Sequence, residues 1–212
     1  TKPLWVNGQV MELGYLGGLR LRPQVRRTSL LGRGYQALKK LHQAQPVPAY
    51  LTTIVEENTQ AAALLTSGRA GLPHYLDQGR YITYAINLNR RPRKFTPAHQ
   101  VIRADQAGAQ ALLGYLAEHG ARRQFYPFIT QQDFGSEYLR GLRLEDFRLA
   151  LDHTGKIAGA AAIWNQKAFK QNIVKGYAPL INAARPIING ALRAGGFRPL
   201  PACGAPLNSV YL

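Results

Sequence analysis

Apolar and polar positions alternate with two different periods along this chain, and the period switches several times. Residues 9–22, "QVMELGYLGGLRLR", read as extended, with Gly17-Gly18 marking a bulge or a close backbone approach and Pro23 ending the strand. Leu30, Leu31, Tyr35, Leu38 and Leu41 then recur at helical spacing behind Thr28 and Ser29, both good N-cap residues. Pro46 and Pro48 end that helix, and "AYLTTIV", 49–55, predicts a short strand. Asn58 predicts the cap of a helix "TQAAALLTSG" closed by Gly68, and "GRYITYAINL" predicts a further strand. Residues 1–88 thus read strand, helix, strand, helix, strand, an alternation that argues for helices layered on a sheet.

The polar, basic, proline-bearing stretch 89–97 is the best linker, after which the pattern restarts. "HQVIRA" predicts a strand, "DQAGAQALLGYLAEHGARR" a helix capped by Asp105, and residues 130–140 a short helix. "FRLALDHTGKIAGAAAIWNQ" predicts a hairpin turning at Asp152–Gly155. The tail from Lys175 mixes helical pieces with proline-rich loops, and "LNSVYL" has the composition of an opening strand.

Charge changes this picture more than composition does. The 212 residues carry a formal net charge of +16. No acidic residue lies between Glu12 and Glu56, and none follows Asp152. Such a surface attracts a polyanionic partner: a phosphorylated cofactor, nucleic acid or an anionic membrane face, or it serves only solubility. No run of about 18 apolar residues predicts a membrane span. The chain begins with Thr1 and has no signal-peptide pattern, which predicts a partial or processed chain. A single cysteine, Cys203, excludes an internal disulfide and fits a reducing, cytoplasmic setting. His42, His74, His99, His119 and His153 are scattered, so no metal site is expected, and no P-loop or G-x-S-x-G elbow is present.

One constellation carries chemistry. "LGGLRLRPQVRRTSLLGRGYQALKKL", followed by "YLTTIVEENTQAAALL" and "GLPHY", resembles the later half of a GNAT-superfamily N-acetyltransferase. That family runs a central strand into an Arg/Gln-x-x-Gly-x-Gly turn, a helix, a second strand and an Asn-x-x-Ala helix start. Arg26 takes the first turn position and Asn58-Thr59-Gln60-Ala61 matches Asn-x-x-Ala. The segment from His99 to the hairpin resembles the earlier half of the same fold. The resemblance therefore implies an α/β (α+β) fold with a mixed, mostly antiparallel sheet flanked by helices. It divides the chain into residues 1–90, the cofactor half of one domain, a linker at 91–97, and residues 98–212, the first half of another. Two halves completing one sheet in permuted order is the alternative.

The resemblance implies acetyl-coenzyme A as co-substrate and an amine or similar nucleophile as acceptor. Leu19 and Leu21 would offer backbone groups to the pantetheine arm. Arg26, Arg27, Thr28, Ser29, Leu30 and Leu31 would meet the pyrophosphate, and Asn58 would help hold the arm or simply cap its helix. Helix-start N–H groups suit such a phosphate without special side chains. The sequence departs from the family at Ser29 and Leu31, which replace turn glycines, and at Arg27, where another glycine is frequent. The usual tyrosine acid is replaced by Leu65, leaving Tyr75 as a substitute that the spacing does not demand; Glu12 is either the carboxylate available as base or a solvent-facing strand residue. Two other readings stay open: a coenzyme A sensor or scaffold without chemistry, and a basic nucleic-acid module. For the latter, Trp164, Lys167, Phe169 and Lys170 are either a basic-aromatic surface or a strand end packing into the core.

Overall fold

A computed structural model describes residues 1–25, 28–69, 71–86 and 98–212. The linker at 91–97 lies outside them. Among the described residues the chain is a mixed α+β protein with five helices and two three-stranded, mostly antiparallel sheets. It divides into two compact units: Thr1–Tyr84 with His119–Phe128, and Ala85–Glu118 with Ile129–Leu212.

The first unit opens with a hairpin that the pattern analysis did not anticipate. Strand β1 (Lys2–Val6) pairs antiparallel with β2 (Gln9–Tyr15), with Val6 opposite Gln9 and Lys2 opposite Leu13. Asn7 and Gly8 both take positive φ, 51° and 78°, the backbone a tight two-residue hairpin turn requires. Leu4 and Leu13 share the buried face. The other edge of β1 is covered by residues 125–128: the Trp5 N–H donates to the Tyr126 carbonyl at 2.8 Å, and Phe128 N–H to Pro3 at 3.0 Å. Phe128 also meets Trp5 edge to face, with centroids 5.5 Å apart.

Strand β2 stops at Tyr15, not at Arg22. Gly17 packs where a Cβ would strike the Tyr15 ring, and Gly18 turns the chain with φ 71°. A 3-10 turn (Pro23–Val25) leads to helix α1 (Leu30–Ala44). Its half-buried stripe is Leu31, Tyr35, Leu38 and His42; Leu41 points outward instead. Strand β3 (Tyr50–Leu51) then returns parallel to β2, the arrangement that needs a crossover helix such as α1. Only two residues of the expected 49–55 strand pair, because β2 is its single neighbour and has already ended. Helix α2 (Thr59–Leu65) follows, with Leu65 buried. The strand expected over 79–88 does not form among the described residues: Tyr81, Ile82, Tyr84 and Ile86 are exposed and unpaired in any sheet.

In the second unit β4 (Gln100–Arg103) pairs antiparallel with β5 (Phe147–Leu151), and β5 with β6 (Ile157–Ala162). The helix expected after β4 is broken by Gly108, whose φ of 85° ends α3 (Ala104–Ala107) before α4 (Ala109–Gly120) begins. Asp105 sits in the first turn of α3 while Arg103 takes the cap position. Leu112 and Leu149 are fully buried and anchor a core with Ala104, Leu116, Leu139, Leu142 and Phe147. Each such leucine contributes about 2 kcal/mol of burial. Residues 130–140 hold one 3-10 turn, Gln131–Asp133, rather than a helix. The β5–β6 turn is closed by Asp152, whose carboxylate accepts from the Thr154 N–H at 2.8 Å, the Thr154 hydroxyl at 2.7 Å and the Lys156 N–H at 3.0 Å. Helix α5 (Pro179–Ala194) follows, amphipathic and with no buried residue. No helix among the described residues is long and apolar enough to cross a membrane.

Candidate functional site

The candidate site belongs to the first unit and begins where β2 and β3 part. Gly14 lies opposite Tyr50 and Tyr15 opposite Leu51, and the last bond between the two segments runs from the Leu16 N–H to the Leu51 carbonyl at 2.9 Å. Beyond it no backbone hydrogen bond joins the two segments among the described residues: β2 runs into the Gly17-Gly18 turn and β3 into Thr52. The buried Thr52 hydroxyl has no hydrogen-bond partner among the described residues. A buried hydroxyl left unpaired costs about 1–3 kcal/mol, so this atom marks a place where the fold alone leaves a polar group unsatisfied.

Aromatic and imidazole groups lock this corner. The Tyr50 ring lies directly on Gly14, occupying the space a Cβ would need. Its hydroxyl shares a 3.2 Å hydrogen bond with His42 Nδ1 on α1. Tyr15 and Thr53 bridge the parting strands through their hydroxyls at 2.9 Å. None of Tyr15, His42, Tyr50 or Thr53 is singled out by sequence reasoning. The signal for Tyr50 is Gly14 itself, a glycine inside a strand pattern, which marks close approach by a neighbour.

The predicted residues are distributed unevenly. Leu19 is exposed and Leu21 half-buried, and both sit in irregular chain rather than on the expected strand. Arg26 and Arg27 lie outside the described residues. The Thr28 hydroxyl donates to the Val25 carbonyl at 2.8 Å and accepts from the Leu30 N–H at 3.3 Å, so it is engaged within the turn. Ser29 is the N-cap residue of α1, but its side chain makes no capping bond. The Arg33 N–H reaches the Ser29 carbonyl at 3.0 Å, while Leu30, Leu31 and Gly32 precede the first intrahelical bond. Leu30 is exposed and Leu31 belongs to the half-buried stripe. Asn58 caps α2 by accepting from the Ala61 N–H at 3.2 Å.

Of the two residues expected to handle protons, Tyr75 is held to α1: its hydroxyl lies 3.1 Å from that of Tyr35. Burial, and after it the bond to Tyr75, push the Tyr35 hydroxyl well above the ordinary tyrosine value. Either hydroxyl can be the donor in this pair. Glu12 is exposed on β2, opposite Pro3 in the β1 register, and forms no hydrogen bond or ion pair among the described residues. Glu56, near the start of α2, pairs with Arg80 at 2.8 Å on the open surface.

The first unit thus holds a short parallel strand pair closed by His42 and Tyr50, a buried Thr52 hydroxyl without a partner among the described residues, and a hydroxyl pair between Tyr35 on α1 and Tyr75. Compared with known proteins, the chain matches no family model, no curated protein and no solved structure at a significant level.

Proposed function

We propose that residues 1–84 form the cofactor-binding half of a GNAT-like acyltransferase, which moves an acetyl group from acetyl-coenzyme A to an amine or similar nucleophile. The observation that carries this reading is the β2–α1–β3 crossover: two parallel strands that pair at Gly14–Tyr50 and Tyr15–Leu51, joined by a 15-residue helix whose last turn reaches Tyr50 through His42. A parted strand pair leaves backbone N–H and carbonyl groups open to an amide-bearing arm such as pantetheine. At the helix start, the N–H groups of Leu31 and Gly32 precede the first intrahelical bond and suit a pyrophosphate, while that of Leu30 is held by the Thr28 hydroxyl. The helix dipole contributes about 0.3–1 kcal/mol there, and Arg26 and Arg27 add screened attraction.

In this reading Glu12 takes the proton of the acceptor amine, and Tyr75 returns one to the departing thiolate. Tyr35, as donor to the Tyr75 oxygen, stabilises the phenolate that proton transfer leaves. Calorimetric titration with acetyl-coenzyme A tests the proposal. Binding that weakens about tenfold or more when Arg26→Ala is combined with Ser29→Leu supports it, as loss of about 1.4 kcal/mol. Absence of heat at millimolar cofactor overturns it.

A second reading, binding without transfer, draws on Leu65: at the position where relatives carry the acid tyrosine stands a buried leucine. Thiol release in the presence of an amine panel separates the two, since a sensor binds coenzyme A and releases none.

A further inference from the structure

After Asp152 the chain carries four lysines and three arginines and no aspartate or glutamate. Part of that charge gathers on one surface of the second unit. Residues 164–174 and 204–211 lie side by side: Trp164 and Tyr211 exchange backbone hydrogen bonds at 2.8 and 3.0 Å, and Val174 and Leu207 donate across the same seam. The seam borders an open cavity of about 280 Å³, lined among others by Lys167, Lys170, Gln171, Asn208 and Ser209. Lys167 hydrogen-bonds Asn208 at its rim. Every charged group in that lining is a cation.

Aromatic rings alternate with these cations. Lys170 Nζ rests 4.3 Å from the centre of the Tyr211 ring, and the Arg140 guanidinium 5.7 Å from that of Phe169. Phe169 is exposed, and its ring lies 6.4 Å from Trp164. The Trp164 indole N–H is fixed to the Arg140 carbonyl at 2.8 Å, so this ring does not depend on a ligand for its orientation. Arg140 also pairs with the exposed Glu137 at 3.6 Å.

We propose that this surface binds single-stranded nucleic acid without strong sequence preference. Lys167, Lys170 and Arg140 take backbone phosphates, and Phe169 and Tyr211 stack bases. Cations alone would serve any polyanion. The exposed Phe169 ring and the half-buried Tyr211 ring interleaved with them favour a strand whose bases are free to stack, which a duplex does not offer. The cation–π contacts are the resting state of the surface. When Lys170 leaves the ring for a phosphate, the vacated Tyr211 face receives a base, so the two interactions exchange rather than compete. This inference stands on the second unit alone and does not require acyl transfer.

The test is fluorescence anisotropy of the full chain with labelled oligothymidylate, and with a duplex and inorganic polyphosphate as competitors. Neutralising about three phosphates gives a salt slope near −2, hence a loss of roughly 20-fold between about 50 and about 200 mM salt. Phe169→Ala is expected to weaken the single strand by about tenfold while leaving polyphosphate affinity unchanged. Lys170→Glu, a change at an exposed position, weakens both. No binding of oligothymidylate at low salt overturns the proposal. So does equal or tighter binding of polyphosphate or duplex, or an affinity for oligothymidylate that Phe169→Ala leaves intact, because each reduces the surface to bare charge.

Discussion

Gly14→Ala puts the packing of the candidate site to a direct test. Gly14 has no positive φ, so alanine fits its backbone. The three atoms nearest the added methyl are all in the Tyr50 ring: it overlaps Cδ1 and Cε1 and lies 3.1 Å from Cγ. The ring must move, and its 3.2 Å bond to His42 is lost with it. Overpacking costs about 1–3 kcal/mol and the lost hydrogen bond about 1 kcal/mol; together they predict destabilisation by about 2–4 kcal/mol. In a Tyr50→Ala background the obstruction is gone. There the same substitution removes a glycine from a strand interior and is expected to stabilise by about 0.5–1 kcal/mol. The protein has two tryptophans, Trp5 in the first unit and Trp164 in the second, so Trp164→Phe leaves Trp5 as a local reporter. Urea unfolding followed by its fluorescence yields the double-mutant cycle. If Gly14→Ala costs as much without Tyr50 as with it, the Tyr50 ring is not what requires the glycine, and the account of this corner fails.

Two further predictions concern pH. The raised pKa of Tyr35 favours the protonated form in the folded state, so the folded chain binds the extra proton above the ordinary tyrosine value of 10.0. Stability therefore falls as pH rises through that range, and Tyr35→Phe flattens the fall in alkaline unfolding curves. Asp152 shows the opposite sign: its hydroxyl bond from Thr154, and then the backbone N–H groups of Thr154 and Lys156, lower its pKa. The turn is intact above the ordinary carboxylate range and loosens as pH falls through the folded value. Protection factors at Thr154 and Lys156, with exchange normalised to the intrinsic rate at each pH, should fall on acidification, and in Asp152→Ala they should be low already at neutral pH.

Legibility in the sequence followed how local each determinant is. Helix α1, the Asn58 cap and the β5–β6 hairpin were readable because periodicity, a cap residue and an Asp-x-x-Gly turn are short-range signals. Strand lengths were not, because pairing decides them: "AYLTTIV" has strand composition throughout, yet β2 offers partners to Tyr50 and Leu51 alone. The β1–β2 hairpin was legible in principle, since Asn7-Gly8 is a strong turn signal. The Tyr35–Tyr75 and His42–Tyr50 pairs bring together residues 40 and 8 positions apart in the chain and come from tertiary packing. Leu41 and His42 illustrate the limit of periodicity. Either could join the apolar stripe of α1, and the Tyr50 hydroxyl selects the histidine.

The unpaired stretch Tyr81–Ile86 bears on how the protein behaves in concentrated solution. "YITYAI" combines aromatic and β-branched residues without charge or proline, and Tyr81, Ile82, Tyr84 and Ile86 are all exposed. Such a segment is a template for strand addition between molecules. Arg80 precedes it, and in sequence a run of arginines and a lysine follows within residues 90–94. With a net charge of +16, two copies repel before these segments can meet. That repulsion reaches about 10 Å at 0.1 M ionic strength and only about 3 Å at 1 M. Colloidal stability is therefore lent to this protein by its surroundings: dilute electrolyte preserves it, and brine withdraws it.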